Sequence, residues 1–189
     1  EFLGRQVMQE PFWHALSRAG QRVALFDVPK APLASDLNGV QIVDWGTHDA
    51  DVPTCSIPAS LTAEIRRKHG TPPFRRCDWV MDGTRPEATL TRQLLERINV
   101  KVAIAEDLLA REVWDLFMIG FGDSHCVGHQ CWHVHDTSHP AHDPELRTRV
   151  GDPIESVYVA LDEAVGRLLE HVGPETTVLL HCSHRMSTH

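Results

Sequence analysis

Tyrosine occurs once in the 189 residues, and aromatic side chains make up only 6%. No apolar run reaches the ~18 residues that a membrane-spanning helix needs. The longest candidates, around Leu116 to Ile119 and Val178 to Leu180, are strand-sized. Extended basic stretches are missing too. Arg66-Arg67-Lys68 and Arg75-Arg76 are the largest groupings, within a formal net charge of -8. That balance argues against nucleic-acid binding and against an electrostatic grip on anionic membrane. It leaves phosphate-ester substrates open, because a bound metal ion supplies positive charge locally. There is no signal-peptide pattern at the start, no G-x-S-x-G elbow and no C-x2-C pair, so serine-hydrolase and zinc-ribbon chemistry have little support. The five cysteines are odd in number and show no small-scaffold spacing. They read as reduced thiols, which makes a cytoplasmic protein the expectation.

What is abundant is histidine. There are 13, six of them between His125 and His142, with His181, His184 and His189 near the end. Hydrophobic residues reach 42%, enough for the core of one domain of this length.

The order of elements follows from pattern. PFWHALSRA reads as a short helix closed by Gly20, and RVALFDV as a strand ending at Pro29. Residues 30–85 carry many prolines and little periodicity, and read as an irregular insertion or cap. Within them VQIVDWG suggests a short strand and LTAEIRRKHG a short helix. From Pro86 to Arg111, Leu90, Leu94, Ile98, Val102, Ala105 and Leu108 recur at helical spacing. WDLFMIGFG follows as a buried strand, then the histidine-rich segment. A helix over 153–172 is capped by Asp152, and TTVLLHC over 177–182 reads as a further strand.

This alternation predicts a single α/β domain over 1–189, with a mainly parallel sheet and helices on both faces. Strands 22–28, 114–120 and 177–182 are expected to lie parallel. Right-handed crossovers put the exits after Ile119 and Leu180 on one carboxyl edge, where open α/β sheets bind ligands. Both exits are rich in histidine.

Asp123, His125, His129 and His133 offer the carboxylate and imidazole donors that zinc and manganese take. A helix would stack His125, His129 and His133, four residues apart, on one face. Against this stand blander readings. The histidines bond locally, Cys126 and Cys131 are packing residues or, with His129, part of a structural zinc loop, and Trp132 is core.

Three segments in order, PFWHALSRAGQRVALFDVPKAP, VWDLFMIGFGDSHCVGHQCWHVHDTSHPAHDP and IESVYVALDEAVGRLLEHVGPETTVLLHCSHRM, resemble the type I phosphodiesterase/nucleotide pyrophosphatase family of the alkaline phosphatase superfamily. The resemblance implies an alkaline-phosphatase-like α/β fold, two metal ions, commonly zinc or manganese, and hydrolysis of a small phosphoester, nucleotide-like substrates among them. It implies that His129 matches the ligand histidine of Asp-x-x-Gly-His. The aspartate of that pattern falls at His125, with Asp123 two residues earlier as its alternative. His184 matches the histidine of Ser-Asp-His-Gly-Met, with Ser183 in place of the ligand aspartate and Arg185 in place of the glycine. The metal residues implied are thus Asp123, His125, His129 and His184. No residue matches the nucleophile. The chain therefore reads as part of a hydrolase domain that is inactive when isolated. Two alternatives stand beside it: a degenerate, non-catalytic member that binds a ligand or partner, and an α/β domain with a structural zinc loop.

Overall fold

The computed structural model describes residues 9–46, 53–73 and 86–182. Among them, ten elements follow in chain order. They are α1 (Phe12–Arg18), β1 (Val23–Phe26), β2 (Gly39–Val43), β3 (Cys55–Ile57), α2 (Ser60–His69), α3 (Glu87–Arg111), β4 (Leu116–Ile119), α4 (Asp123–His135), α5 (Pro144–Val150) and α6 (Pro153–Leu169).

The four strands form one mixed sheet in the order β3-β2-β1-β4. β1 is flanked by parallel partners on both sides, with Val23 opposite Gly39 and Leu116, and Phe26 opposite Ile42 and Ile119. β3 runs antiparallel to β2, pairing Ile42 with Ser56. Because successive strand residues face opposite ways, each strand divides its side chains between two layers. Val23, Leu25, Leu116 and Met118 pack with Trp13 and Leu16 of α1. Phe26, Ile42, Phe117 and Ile119 pack with Leu61 and Ile65 of α2 and with Ile104, Ala105 and Leu108 of α3. Helices thus cover both faces, and the α/β class with a mostly parallel sheet holds.

α3 spans two cores. Its carboxyl-terminal half lies on the sheet. Its amino-terminal half, through Leu90, Leu94, Ile98 and Val102, packs on Cys126, Val127, Cys131 and Val134 of α4 and on Ile154, Val157 and Ala164 of α6. Helix starts are chemically marked. Asp143 accepts from the Glu145 N–H at the start of α5, and Asp152 from the Ile154 and Glu155 N–H groups at the start of α6, each ahead of a proline in the first turn.

Two expectations need correction. Residues 177–182 form no strand. Val178, Leu179 and Leu180 are exposed, Leu179 at 88%. An apolar run becomes a strand only where a neighbour supplies the ladder, and no described strand lies beside this one. The parallel pairing of 114–120 with 22–28 does form, as β4 with β1. Secondly, the histidine-rich segment after β4, expected as a loop, is helical over Asp123–His135 as α4, and only His139 and His142 lie in the turns beyond it. Residues 30–85 contribute β2, β3 and α2 to the layered body.

α2 is tied to α3 by Asp107. Its carboxylate accepts from Lys68 at 2.5 Å and Arg111 at 2.8 Å, with His69 at 3.4 Å. Burial alone would raise its pKa, but these hydrogen bonds prevail and hold it at about 2, below its ordinary 3.8. A depressed carboxylate contributes stability that is present above its ordinary pKa and is lost as pH falls through the folded value. Asp107→Asn should therefore be less stable than the parent at neutral pH, by on the order of 1 kcal/mol. The gap should close between about pH 4 and pH 2. Urea melts of both proteins across that range check this, and a gap independent of pH would contradict it.

Candidate functional site

The carboxyl ends of β1, β2 and β4 converge, and each is shaped by local chemistry. Asp27 follows β1 with φ 55° and Asp44 follows β2 with φ 54°. Both turn the chain sharply in the left-handed region that aspartate tolerates better than most residues. Asp27 Oδ1 accepts from the Trp45 N–H at 2.9 Å and Oδ2 from the Gly46 N–H at 3.0 Å, so one carboxylate joins the exits of β1 and β2.

Lys101 of α3 completes that junction. Its Nζ donates to Asp27 Oδ2 at 2.5 Å and to the Gly120 carbonyl at 2.7 Å, and so ties in the exit of β4. The rings of Phe26, Trp45 and Phe121 surround the ammonium at 5.5 to 5.9 Å, an arrangement that favours a cation. Gly120 is required by proximity, since a Cβ there would lie 2.4 Å from the Asp27 carbonyl oxygen.

One helical turn earlier, Arg97 Nε donates to Asp123 Oδ1 at 2.7 Å, and its NH2 reaches Cys126 Sγ at 3.3 Å. All four charged groups are essentially withdrawn from water, with Arg97 and Asp123 at 0%, Lys101 at 1% and Asp27 at 2% exposure. Charges this deep persist only as pairs. Asp123 Oδ2 finds no hydrogen-bond partner among the described residues.

Asp123, the first residue of α4, belongs to the helix's inward stripe with Cys126, Val127, Cys131 and Val134. Residues two apart on a helix face nearly opposite ways, so His125 and His129 lie on the other side. Their rings meet edge-on with centroids 4.3 Å apart, His125 half-buried and His129 exposed. Of the implied metal residues, then, the structure brings His125 and His129 together and holds Asp123 against Arg97 in the interior. His184, with Ser183 and Arg185, lies outside the described residues. Among the described residues no three His, Cys, Asp or Glu side chains are grouped so as to hold an ion.

Other histidines of the cluster are engaged in local structure. His135 Nδ1 lies 2.7 Å from Asp152 Oδ2, which Arg147 also contacts at 3.0 Å. Burial pushes Asp152 upward, but His135, the Glu155 N–H and Arg147 outweigh it and hold the carboxyl below its ordinary range. His142 Nδ1 sits 2.9 Å from the His133 carbonyl, and His139 Nδ1 accepts from the Ala141 N–H at 3.1 Å. His133 Nε2 lies 3.6 Å from Glu87. Trp132 packs on the helical core and donates to Asp136 at 3.1 Å.

The cysteines divide similarly. Cys55, Cys131 and Cys182 are free thiols, whereas Cys126 is disulfide-bonded, which corrects the all-reduced expectation. Spacing along the chain carries no information on which distant cysteines approach. Burial pushes the Cys131 thiol up to about 12, so it is an inert packing group. Cys126 and Cys131 face the core while His129 faces outward, so these three do not form a closed zinc site. No described helix is long and apolar enough to cross a membrane.

Arg97, Lys101 and Asp27 were not singled out from sequence. The signal was there for the two cations, which stand four residues apart inside the apolar stripe of α3, beside Leu94, Ile98 and Val102. Asp27 had only its place after an apolar strand.

Comparison of the chain with protein-family models, with curated proteins and with solved structures returns no match.

Lys101→Met should leave Asp27 as a buried carboxylate with only two amide donors, at a cost of about 3–5 kcal/mol. The double variant Asp27→Asn/Lys101→Met should recover part of that loss, because asparagine carries no charge and accepts the left-handed backbone. Denaturant unfolding measures both. A single variant within about 1 kcal/mol of the parent would show that the pair does not support the fold.

Proposed function

We propose that this chain is part of a metal-dependent phosphoester hydrolase of the alkaline phosphatase superfamily, of the phosphodiesterase/nucleotide pyrophosphatase type. The observation that carries the reading is the His125–His129 pair, one turn apart on the helix that leaves the carboxyl edge of a parallel strand. Ligands of open α/β sheets gather at that edge. Three sequence segments resemble the family in the same order, and two of them supply the strands β1 and β4 that flank the site.

The donor set suits a divalent ion in part. His125 and His129 supply two imidazole nitrogens, and His184 is the further donor that the resemblance implies. When bound, zinc or manganese supplies Lewis-acid charge neutralisation at phosphoryl oxygens. The chain's own residues do the positioning. The Arg97–Asp123 pair fixes the first turn of α4, and Lys101 fixes the exits of β1 and β4 beneath it. Asp123 is, on this reading, an anchor for the helix that carries the ligands.

The test is equilibrium dialysis against Zn²⁺ or Mn²⁺ with metal analysis. His129→Ala and His125→Ala should each lower bound ion at limiting metal, whereas His171→Ala, at an exposed histidine in the turn after α6, should not. Unchanged stoichiometry in His129→Ala overturns the reading. In the protein made from its full reading frame, His129→Ala should reduce hydrolysis of bis(4-nitrophenyl) phosphate by about 100-fold. Ion binding without any hydrolysis in the parent would instead favour a non-catalytic, ligand-binding member, for which Ser183 and Arg185 at the implied ligand motif already speak.

A further inference from the structure

A second surface lies at the opposite border of the sheet. β3 is its edge strand, and no described strand stands on its outer side. Along such an edge, alternate N–H and C=O groups point away from the sheet and can pair with another chain. α2 follows β3 directly and leaves a groove of about 630 Å³ between helix and strand. Its helical wall is Thr62 and Ala63 with Arg66 and Arg67 one turn on, its strand wall includes Cys55, and Leu33 lies across from them.

Three features give the groove its character. Its helical wall is made of small side chains near the strand, which leaves room for a backbone. It is rigidly built, because Ser56 Oγ donates to the Pro58 carbonyl at 2.8 Å and accepts from the Thr62 N–H at 2.9 Å, locking the start of α2 against β3. It is also positive at one end. Arg66 and Arg67 are exposed and make no ion pair with a described residue, whereas Arg111 on the inner side of α2 is held by Glu64 and Asp107. Two such guanidiniums in a chain of net charge -8 form a local site for an anion.

We infer that the β3–α2 groove binds an extended acidic peptide, which adds to the edge of β3 and places carboxylates on Arg66 and Arg67. Main-chain pairing to a free edge supplies affinity in this mode, and alternate side chains supply selection. β3 has only three residues, so backbone pairing alone is weak and the arginines carry the preference for acidic sequences.

The probe is a fluorescein-labelled, capped hexapeptide alternating glutamate and valine, followed by anisotropy. It should bind the parent chain, and its counterpart with lysine for glutamate should not. Arg66→Glu/Arg67→Glu should weaken binding about tenfold or more. Both positions are exposed, and circular dichroism verifies that the variant is folded. N-methylation of alternate peptide amides should also weaken binding in one of the two registers, since a strand presents its N–H groups to one neighbour at every second residue. Equal binding by the double variant, or by both N-methylated registers, would overturn the inference. So would full displacement of the peptide by millimolar inorganic phosphate, which would mark a site for small anions. The outcome is independent of the metal reading, because the groove shares no residue with α4.

Discussion

Lys101 holds the carboxyl edge of this sheet together. Its ammonium bridges the Asp27 carboxylate and the Gly120 carbonyl, and Asp27 in turn accepts the Trp45 and Gly46 amides. Three strand exits thereby meet on one cation. Burying that cation is costly, and the cost is offset by a carboxylate, a carbonyl and three aromatic faces. Arg97 repeats the device one turn earlier with Asp123. α3 thus does two jobs. Its apolar stripe joins the sheet to the α4–α6 layer, and two cations within the stripe set where the strand exits and α4 begin. A hydrophobic contact would give cohesion at this place. Paired charges also give direction, since a carboxylate with amide donors on both oxygens has little freedom to rotate.

α4 shows how one helix separates structure from candidate chemistry. Its inward face carries Asp123, Cys126, Val127, Cys131 and Val134, all buried. Its outward face carries His125 and His129 in ring contact. The rest of the histidine excess is absorbed at the far end of the helix and in the turn beyond it, where His135, His139 and His142 bond to Asp152 and to backbone groups. An abundance that reads as one metal cluster in sequence therefore resolves into a pair at the helix start and a structural set at its end. Imidazole suits both roles, because its two nitrogens serve equally as ligands or as local hydrogen-bond partners.

Much of the scaffold was legible in the chain. Helix 86–111 was marked by a long 3.6-residue periodicity and a proline in its first turn, and it appears as Glu87–Arg111. Asp152-Pro153 announced α6, whose start matches to the residue. The strands at 22–28 and 114–120 were apolar runs bounded by proline and glycine, and they pair in parallel as expected. TTVLLHC had the same signature without the same outcome, because β-structure depends on a partner that a local pattern does not specify. β3 was missed for the same reason, as three residues have too little pattern to register. The disulfide at Cys126 was missed because it depends on approach in space.

The amino-acid sequence by itself determined four of the helices, α1, α2, α3 and α6, which faces of the long ones are apolar, and that imidazole and carboxylate donors follow a strand exit. Those properties are local, set by side-chain spacing of 3.6 or 2 residues and by capping chemistry within a turn. Only the tertiary structure decided that Asp123 faces Arg97 rather than the histidines. It also decided that Lys101 sits under three strand exits, and that residues 177–182 remain outside the sheet. Each of these depends on groups tens of residues apart meeting in a space from which water is excluded, and that meeting is a property of the packed whole.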